Sequence, residues 1–355
     1  MPMSEQGDDA VAATERSGRR PRSPAGTVRL AEVAAIAGVS DATVSRVLNR
    51  KYGVSVSTRK AVEKALRQVG YERPLKGEIV VILVPGLKTP IFAAMTWAIE
   101  QELTPHGLRA FLCPIVPGSV MERDYIEPML DAGMVAAVFL SASNTLRNAD
   151  PMARHLLEGR GIPYISVNGA FSDGQSPVIS TDDWHAAELA VSHLYDLGHR
   201  RIGMCAGPAG NTPADRRIEG FVAAMDARGL NDAADYVVRH HFSVDGGRHA
   251  ADELLARGVT AIVASSDDMA LGAIRAAKRR GLEVPKDVSV VGYDDSYMLD
   301  FTDPPLTTVR QPVETLAENC VRTLVTMIQN RTVRATESFV DPELRLRGST
   351  GPVPR

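Results

Sequence analysis

Between Leu30 and Asn49 the chain reads LAEVAAIAGVSDATVSRVLN, and the polar side chains in its second half are of kinds that read base-pair edges. Arg46 can grip a guanine through two parallel hydrogen bonds, and Ala42 can touch a thymine methyl group. Thr43 and Ser45 add small hydroxyls to the same face. Ser40 stands where a helix cap is needed: its hydroxyl can accept an amide proton near Ala42 or Thr43. The other free N–H groups of that turn can then point at a phosphate. Asp41 either accepts from a cytosine amine or supports the helix N-terminus. A bundle that binds protein or nothing is the plainer alternative; the turn glycine, the cap serine and the local charge weigh against it.

A second set of polar residues follows short apolar runs along the remaining ~280 residues. Thr89, Ile91 and Phe92 follow the first run, and Asn168 follows Tyr164–Val167. Asp182, Asp183 and Trp184 open a helix, and Arg217 leads another. Ser266 and Asp267 follow Ala261–Ala264, and Asp294 follows Val288–Gly292. Ligand sites in open α/β sheets lie beyond the carboxyl ends of strands. Carboxylates, an amide, an arginine and aromatic rings suit a sugar, whose hydroxyls need paired partners and whose apolar face stacks on a ring. Bland roles compete: Asp267 as a helix cap, Asp182, Asp183 and Asp295 in turns, Phe92 as core. No Ser/His/Asp or metal constellation is visible, and His199 reads as a structural hydrogen-bonding residue. The Gly207–Gly210 loop lacks the Lys and Ser/Thr of a phosphate-binding loop. The expectation is no enzyme and no cofactor.

The elements that must position these groups are legible from periodicity. Leu30–Ala37 and Asp41–Leu48 read as two helices around a tight turn at Gly38, with Val39 and Val44 packed beneath and small Ala34 and Ala35 allowing close approach. A third helix starts near Ser55, carries Thr58, and runs to Val69 before Gly70. From Ile79 the pattern changes: Ile79–Val84 is a continuous branched run, as in a parallel strand buried on both faces. Runs at Ala136–Leu140, Tyr164–Val167, Arg201–Ala206, Ala261–Ala264 and Val288–Gly292 alternate with helical stretches, which means α/β layers. A break near Ser176–Thr181 suggests two lobes.

Length and charge fit this division. A chain of 355 residues exceeds one core. The net charge of −3 hides an asymmetry: residues 28–77 carry ten Lys or Arg and four acids, a balance of +6. A basic module on an acidic body suits a reader of DNA. Cys113, Cys205 and Cys320 are far apart and read as buried small hydrophobes. Neither an export signal nor an 18-residue apolar stretch is present, so a cytoplasmic location without membrane contact is expected. Residues 1–27 read as a disordered leader, whose Arg19-Arg20-Pro21-Arg22 could touch phosphates.

The stretch Val28–Asn49, Thr58-Arg59 and Gly70-Tyr71 resembles the lactose/galactose-repressor family of bacterial transcription regulators. So do Leu197-Gly198-His199-Arg200-Arg201-Ile202, Ser266-Asp267-Asp268-Met269-Ala270 and the run Val284–Asp295. The same holds for Pro305–Val309, Gln311-Pro312 and Arg347–Thr350, and the likeness spans residues 28–350. It implies a multidomain chain: an all-α helix-turn-helix headpiece at 28–73, a linker at 74–78, and an α/β periplasmic-binding-protein-like core at 79–350 with two Rossmann-like lobes. Lobe 1 would take about 79–176 and 308–330, and lobe 2 about 180–300 and 333–350. The implied function is a homodimeric regulator, a repressor, of double-stranded operator DNA, controlled by a small-molecule effector such as a sugar. The alternative is a cytosolic solute-binding protein without specific DNA binding. By resemblance, Ser40, Asp41, Ala42, Thr43, Ser45, Arg46, Asn49 and Thr58 face DNA. Phe92, Asn168, Arg217, Ser266 and Asp294 match effector positions, with Thr89, Trp184 and Asp267 beside them. Two departures stand out. The linker is about eight residues short of a hinge helix, which leaves Leu75 either as a minor-groove wedge or as a linker leucine packed on the protein. Gly86 and Thr89 stand where relatives usually have Asp and Asn.

Overall fold

The computed structural model describes residues 30–48, 53–69, 77–115, 120–329 and 331–354. The chain divides into two units, Met1–Glu72 and Arg73–Arg355. In the first, α1 (Leu30–Ala37), α2 (Asp41–Leu48) and α3 (Val56–Gln68) form a small bundle. Gly38 takes φ +66°, a left-handed turn that a side chain would resist. The Ser40 hydroxyl accepts the Thr43 amide at 3.3 Å, and Ser55 caps α3 by accepting the Thr58 amide at 3.1 Å. Val33, Ala34, Val44, Val47, Val62, Ala65 and Leu66 are the core. Ala34 packs as expected, but Ala35 is exposed: a 100° step along the helix takes it off the buried stripe.

The second unit holds β1 (Glu78–Val84), α4 (Pro90–Leu103), β2 (Leu108–Pro114), α5 (Glu122–Asp131), β3 (Ala136–Leu140), α6 (Met152–Arg160), β4 (Tyr164–Val167) and β5 (Val178–Thr181). It continues with α7 (Asp183–Asp196), β6 (Ile202–Ala206), α8 (Thr212–Asp226), β7 (Val237–Arg239), α9 (Val244–Ala256), β8 (Ala261–Ala264) and α10 (Asp267–Arg279). It ends with β9 (Ser289–Asp294), β10 (Thr307–Arg310), α11 (Val313–Ile328), β11 (Glu337–Val340) and β12 (Glu343–Arg345). Two six-stranded sheets result, ordered β11-β5-β4-β3-β1-β2 and β12-β10-β9-β8-β6-β7. All pairings are parallel except β10–β12. Helices α4 and α11 cover one face of the first sheet, and α5 and α6 the other. Around the second sheet, α7 and α8 face α9 and α10. The long central strands are apolar on both faces because both are covered.

The lobes exchange chain three times: at Asp182, at Gln311-Pro312 and at Asp341-Pro342. This corrects the expected lobe ranges. β5 and β11 belong to the first sheet, although 180 onward and 333–350 were assigned to lobe 2. β10 belongs to the second, although 308 onward was assigned to lobe 1. Each is a four-residue strand whose sheet is set by its hydrogen-bond partner, which local composition does not encode. Glu78, expected in the linker, already pairs with Leu108 in the sheet. Cys113, Cys205 and Cys320 are buried free thiols that burial pushes up in pKa, so they pack as hydrophobes and are inert. His199 is buried, bonded to Thr260, Ser289 and the Gly351 carbonyl, and serves structure as read.

Candidate functional site

On the headpiece, capping and periodicity decide which side chains face outward. Val44 and Val47 turn into the core, so Ser40, Asp41, Ala42 and Arg46 are exposed and Thr43, Ser45 and Thr58 lie half-buried at the edge. The Ser40 and Thr43 hydroxyls share a hydrogen bond of 3.0 Å, and Thr58 accepts from Ser55 at 2.8 Å. The first turn of α2 thus presents small polar groups and free amides, followed one turn later by a cation. Asn49 and Leu75 lie outside the described residues.

In the second unit, parallel pairing puts the carboxyl ends of each sheet on one side, and side chains from both sheets meet there. Asn168, at φ +62°, ends β4. Its Oδ1 accepts the Thr181 amide at 3.1 Å and its Nδ2 donates to Gln311 Oε1 at 3.3 Å. Gln311 Nε2 in turn donates to Asp294 Oδ1, 2.7 Å away at the end of β9. Gln311 sits in one crossover and Thr181 immediately before another, so this chain of bonds ties the lobes at their hinge.

Beside it lies a buried ionic group. Arg217 donates to Asp183 and lies 4.3 Å over the Tyr293 ring, whose hydroxyl donates to the same carboxylate at 2.8 Å. Burial pushes the Asp183 carboxyl up in pKa, against the pull of Arg217 and the Tyr293 hydroxyl. Asp294 is raised well above the usual carboxylate range by burial and by Asp267. Burial likewise moves Asp267 to about 6 although Ser296 and Thr308 donate to it. Asp183 Oδ2, Arg217 Nε and Ser265 Oγ are buried without a partner in this structure. Buried polar atoms are rarely left so. Two of these atoms belong to the Arg217–Asp183 pair, beside Asp294 at the end of β9, and unpaired polar atoms there are of the kind that a polyhydroxyl ligand satisfies.

Four expected residues, Asn168, Arg217, Asp267 and Asp294, therefore come together. Ser266, not Asp267, caps α10, accepting the Met269 amide at 3.2 Å, while the Asp267 carboxylate faces Ser296 and Thr308. Asp182 caps α7 through the His185 amide, its plainer reading. Thr89 starts α4, Phe92 packs half-buried on the lobe 1 core, and Trp184 is 42 % exposed; none of the contacts described joins these three to the cluster. Sequence reasoning missed Tyr293 and Gln311, although both stand in runs that carry the family resemblance, which was the available signal. Phe242 points the tip of its ring at Gly207, just after β6, where a Cβ would sit 2.2 Å from it, and none of the contacts described joins Phe242 to the cluster.

Asp294→Asn keeps the Gln311 bond and removes a carboxylate that burial disfavours. A carboxyl raised on folding takes up protons in the native state, so it costs stability as pH climbs past its unfolded value. The variant is expected to melt roughly 2–4 °C higher at pH 8, as about 1 kcal/mol does in a core of this size. The difference should shrink toward pH 4; thermal unfolding across that range checks it.

Comparison with known proteins adds the following. A family profile described as bacterial regulatory proteins, lacI family, matches residues 29–73, and one for a periplasmic binding protein-like domain matches 191–350. The HTH-type transcriptional regulator MalR of Streptomyces coelicolor is 45 % identical over 337 residues, covering 92 % of this chain and 98 % of MalR. The structure of the transcriptional regulator CelR–cellobiose complex superposes with a TM-score of 0.70 at 30 % identity, covering 91 % of this chain and 100 % of that one. A lac repressor dimer bound to operator and an anti-inducer gives a TM-score of 0.67 at 25 % identity over 91 % and 99 % of the two chains.

Proposed function

Because the chain belongs to the LacI family of bacterial regulatory proteins, DNA-binding transcription regulators and not enzymes, we propose that it acts in the cytoplasm as a homodimeric repressor released or engaged by a sugar held between its two core lobes. The proposed division is a leader at 1–27, a DNA-binding headpiece at 28–73, a short linker and a core from residue 78. Ser40, Asp41, Ala42, Thr43, Ser45, Arg46, Asn49 and Thr58 meet operator DNA, with Leu75 as the wedge.

The observation that carries the effector reading is the set of orphaned polar atoms around Arg217, Asp183 and Ser265, flanked by the Asn168–Gln311–Asp294 chain. The similar regulator CelR is solved in complex with cellobiose, which favours that ligand class. Trp184 supplies a ring for its apolar face, Ser266 a hydroxyl, and Phe92 and Thr89 the lobe 1 wall. Dimer formation is favoured by the similar lac repressor, solved as a dimer bound to operator. Among the described residues no helix is long and apolar enough to cross a membrane.

Selection from random duplex DNA, with sequencing of what is retained, tests the reading. Two inverted half-sites are expected; retention without sequence preference would favour a solute-binding protein.

A further inference from the structure

The second turn of α8 touches both lobes through successive residues. Arg217 turns inward to Asp183 and Tyr293 within lobe 2. Its neighbour Arg216 crosses to lobe 1. There it donates twice to Glu337 of β11, at 2.6 and 2.7 Å, and lies 5.2 Å over the Phe339 ring. Glu337 also accepts from Ser180 of β5 at 2.6 Å, which fixes its carboxylate against the sheet edge. Both partners are mostly covered, 25 and 20 % exposed, so water screens the pair only in part. A lesser contact joins the lobes nearby. The Arg147 amide donates to the Gly210 carbonyl at 2.9 Å, and the Arg147 guanidinium reaches Asp215 at 3.2 Å while 73 % exposed. Neither contact belongs to the three crossovers, so both break if the lobes part.

We propose that Arg216 and Glu337 form a latch that holds the lobes closed, and that its strength sets how far an effector must shift the closure equilibrium. The consequence for effector response rests on the proposed function; the latch itself does not. A ligand's apparent affinity is its intrinsic affinity multiplied by the fraction of protein already in the competent state, so it falls as that fraction falls. Residues outside the ligand shell thereby tune sensitivity without touching ligand. Because Arg217 is the next residue, any pull on its guanidinium by a bound hydroxyl or carboxylate acts on the same helical turn that carries the latch.

The test uses the full chain without DNA or sugar, so its outcome is independent of whether the effector reading is right. Hydrogen exchange is followed at Arg147, whose amide bond spans the lobes, together with the radius of gyration from X-ray scattering. Glu337→Gln and Arg216→Gln should each speed exchange at that segment about five-fold or more and expand the particle, leaving exchange in β1 and β8 unchanged. The exchanged pair, Arg216→Glu with Glu337→Arg, should restore protection. Wild-type exchange and size in both single variants would overturn the proposal. So would loosening by both singles that the exchanged pair fails to correct, since the charge interaction would then not be its cause.

Discussion

Arg46→Ala is expected to weaken binding to the selected duplex by about 1–3 kcal/mol for each headpiece, the worth of one bidentate arginine–guanine contact. Arg46 is exposed on α2, between Val44 and Val47, which face the bundle core. Truncating an exposed side chain of this kind moves stability by no more than about 0.5 kcal/mol. The unfolding midpoint of the headpiece should therefore stay in place while affinity falls. The pattern across sequences identifies the contact. A base contact makes one position of the half-site lose its preference. A phosphate contact weakens all duplexes alike and lowers the slope of log affinity against log salt by about one per headpiece. Unchanged affinity for every duplex would remove Arg46 from the reading face.

Arg217→Ala is expected to do more damage to the core. Its guanidinium and the Asp183 carboxylate are 8 and 1 % exposed, and removing one member of a buried pair costs about 3–5 kcal/mol because the other charge is left unpaired. The Tyr293 hydroxyl remains as a donor to Asp183, which limits the loss. The midpoint should drop by roughly 6–20 °C at neutral pH. The penalty has a definite pH sign. Asp183 is already raised by burial, and loss of the cation raises it further. The folded variant then holds a proton that the unfolded chain has released, and stability falls as pH rises above the unfolded value. Acid should partly rescue the variant. Adding Asp183→Asn removes the orphan charge and should recover most of the midpoint without recovering sugar binding. If the double variant binds sugar normally, Arg217 is a structural residue and not an effector contact.

How much of this was legible in the chain depends on where each signal resides. α1 and α2 were readable to the residue because Gly38 and Ser40 mark the turn and cap within the sequence itself. β3, β4 and β8 were equally plain, since strands covered on both faces are unbroken apolar runs. The helix read as led by Arg217 starts earlier, at Thr212, because its first turn, Thr212-Pro213-Ala214-Asp215, carries little apolar periodicity. The short strands β5, β10 and β11 were missed, although the break near Ser176–Thr181 lies beside the first crossover, because Thr307–Arg310 becomes a strand only through its partners β9 and β12. The same limit holds at the site. Arg217 and Asp294 could be singled out by type and position, but not that Gln311, 17 residues on from Asp294, joins it to Asn168. Nor could their order show that Asp267 turns to Ser296 and Thr308 while Ser266 takes the cap. Those relations are set by packing.

The central claim is that one protein couples a sugar in the core to DNA at the headpiece. The most direct measurement is the affinity for the selected duplex with and without a saturating sugar, chosen from a panel by its ability to raise the unfolding midpoint of the core. Coupling between sites is worth about 1–3 kcal/mol in such switches, so affinity should change by about 5- to 150-fold in one direction. The same factor should appear in the sugar's affinity when duplex is saturating. A sugar that binds and stabilises the core yet leaves duplex affinity unchanged would contradict the account.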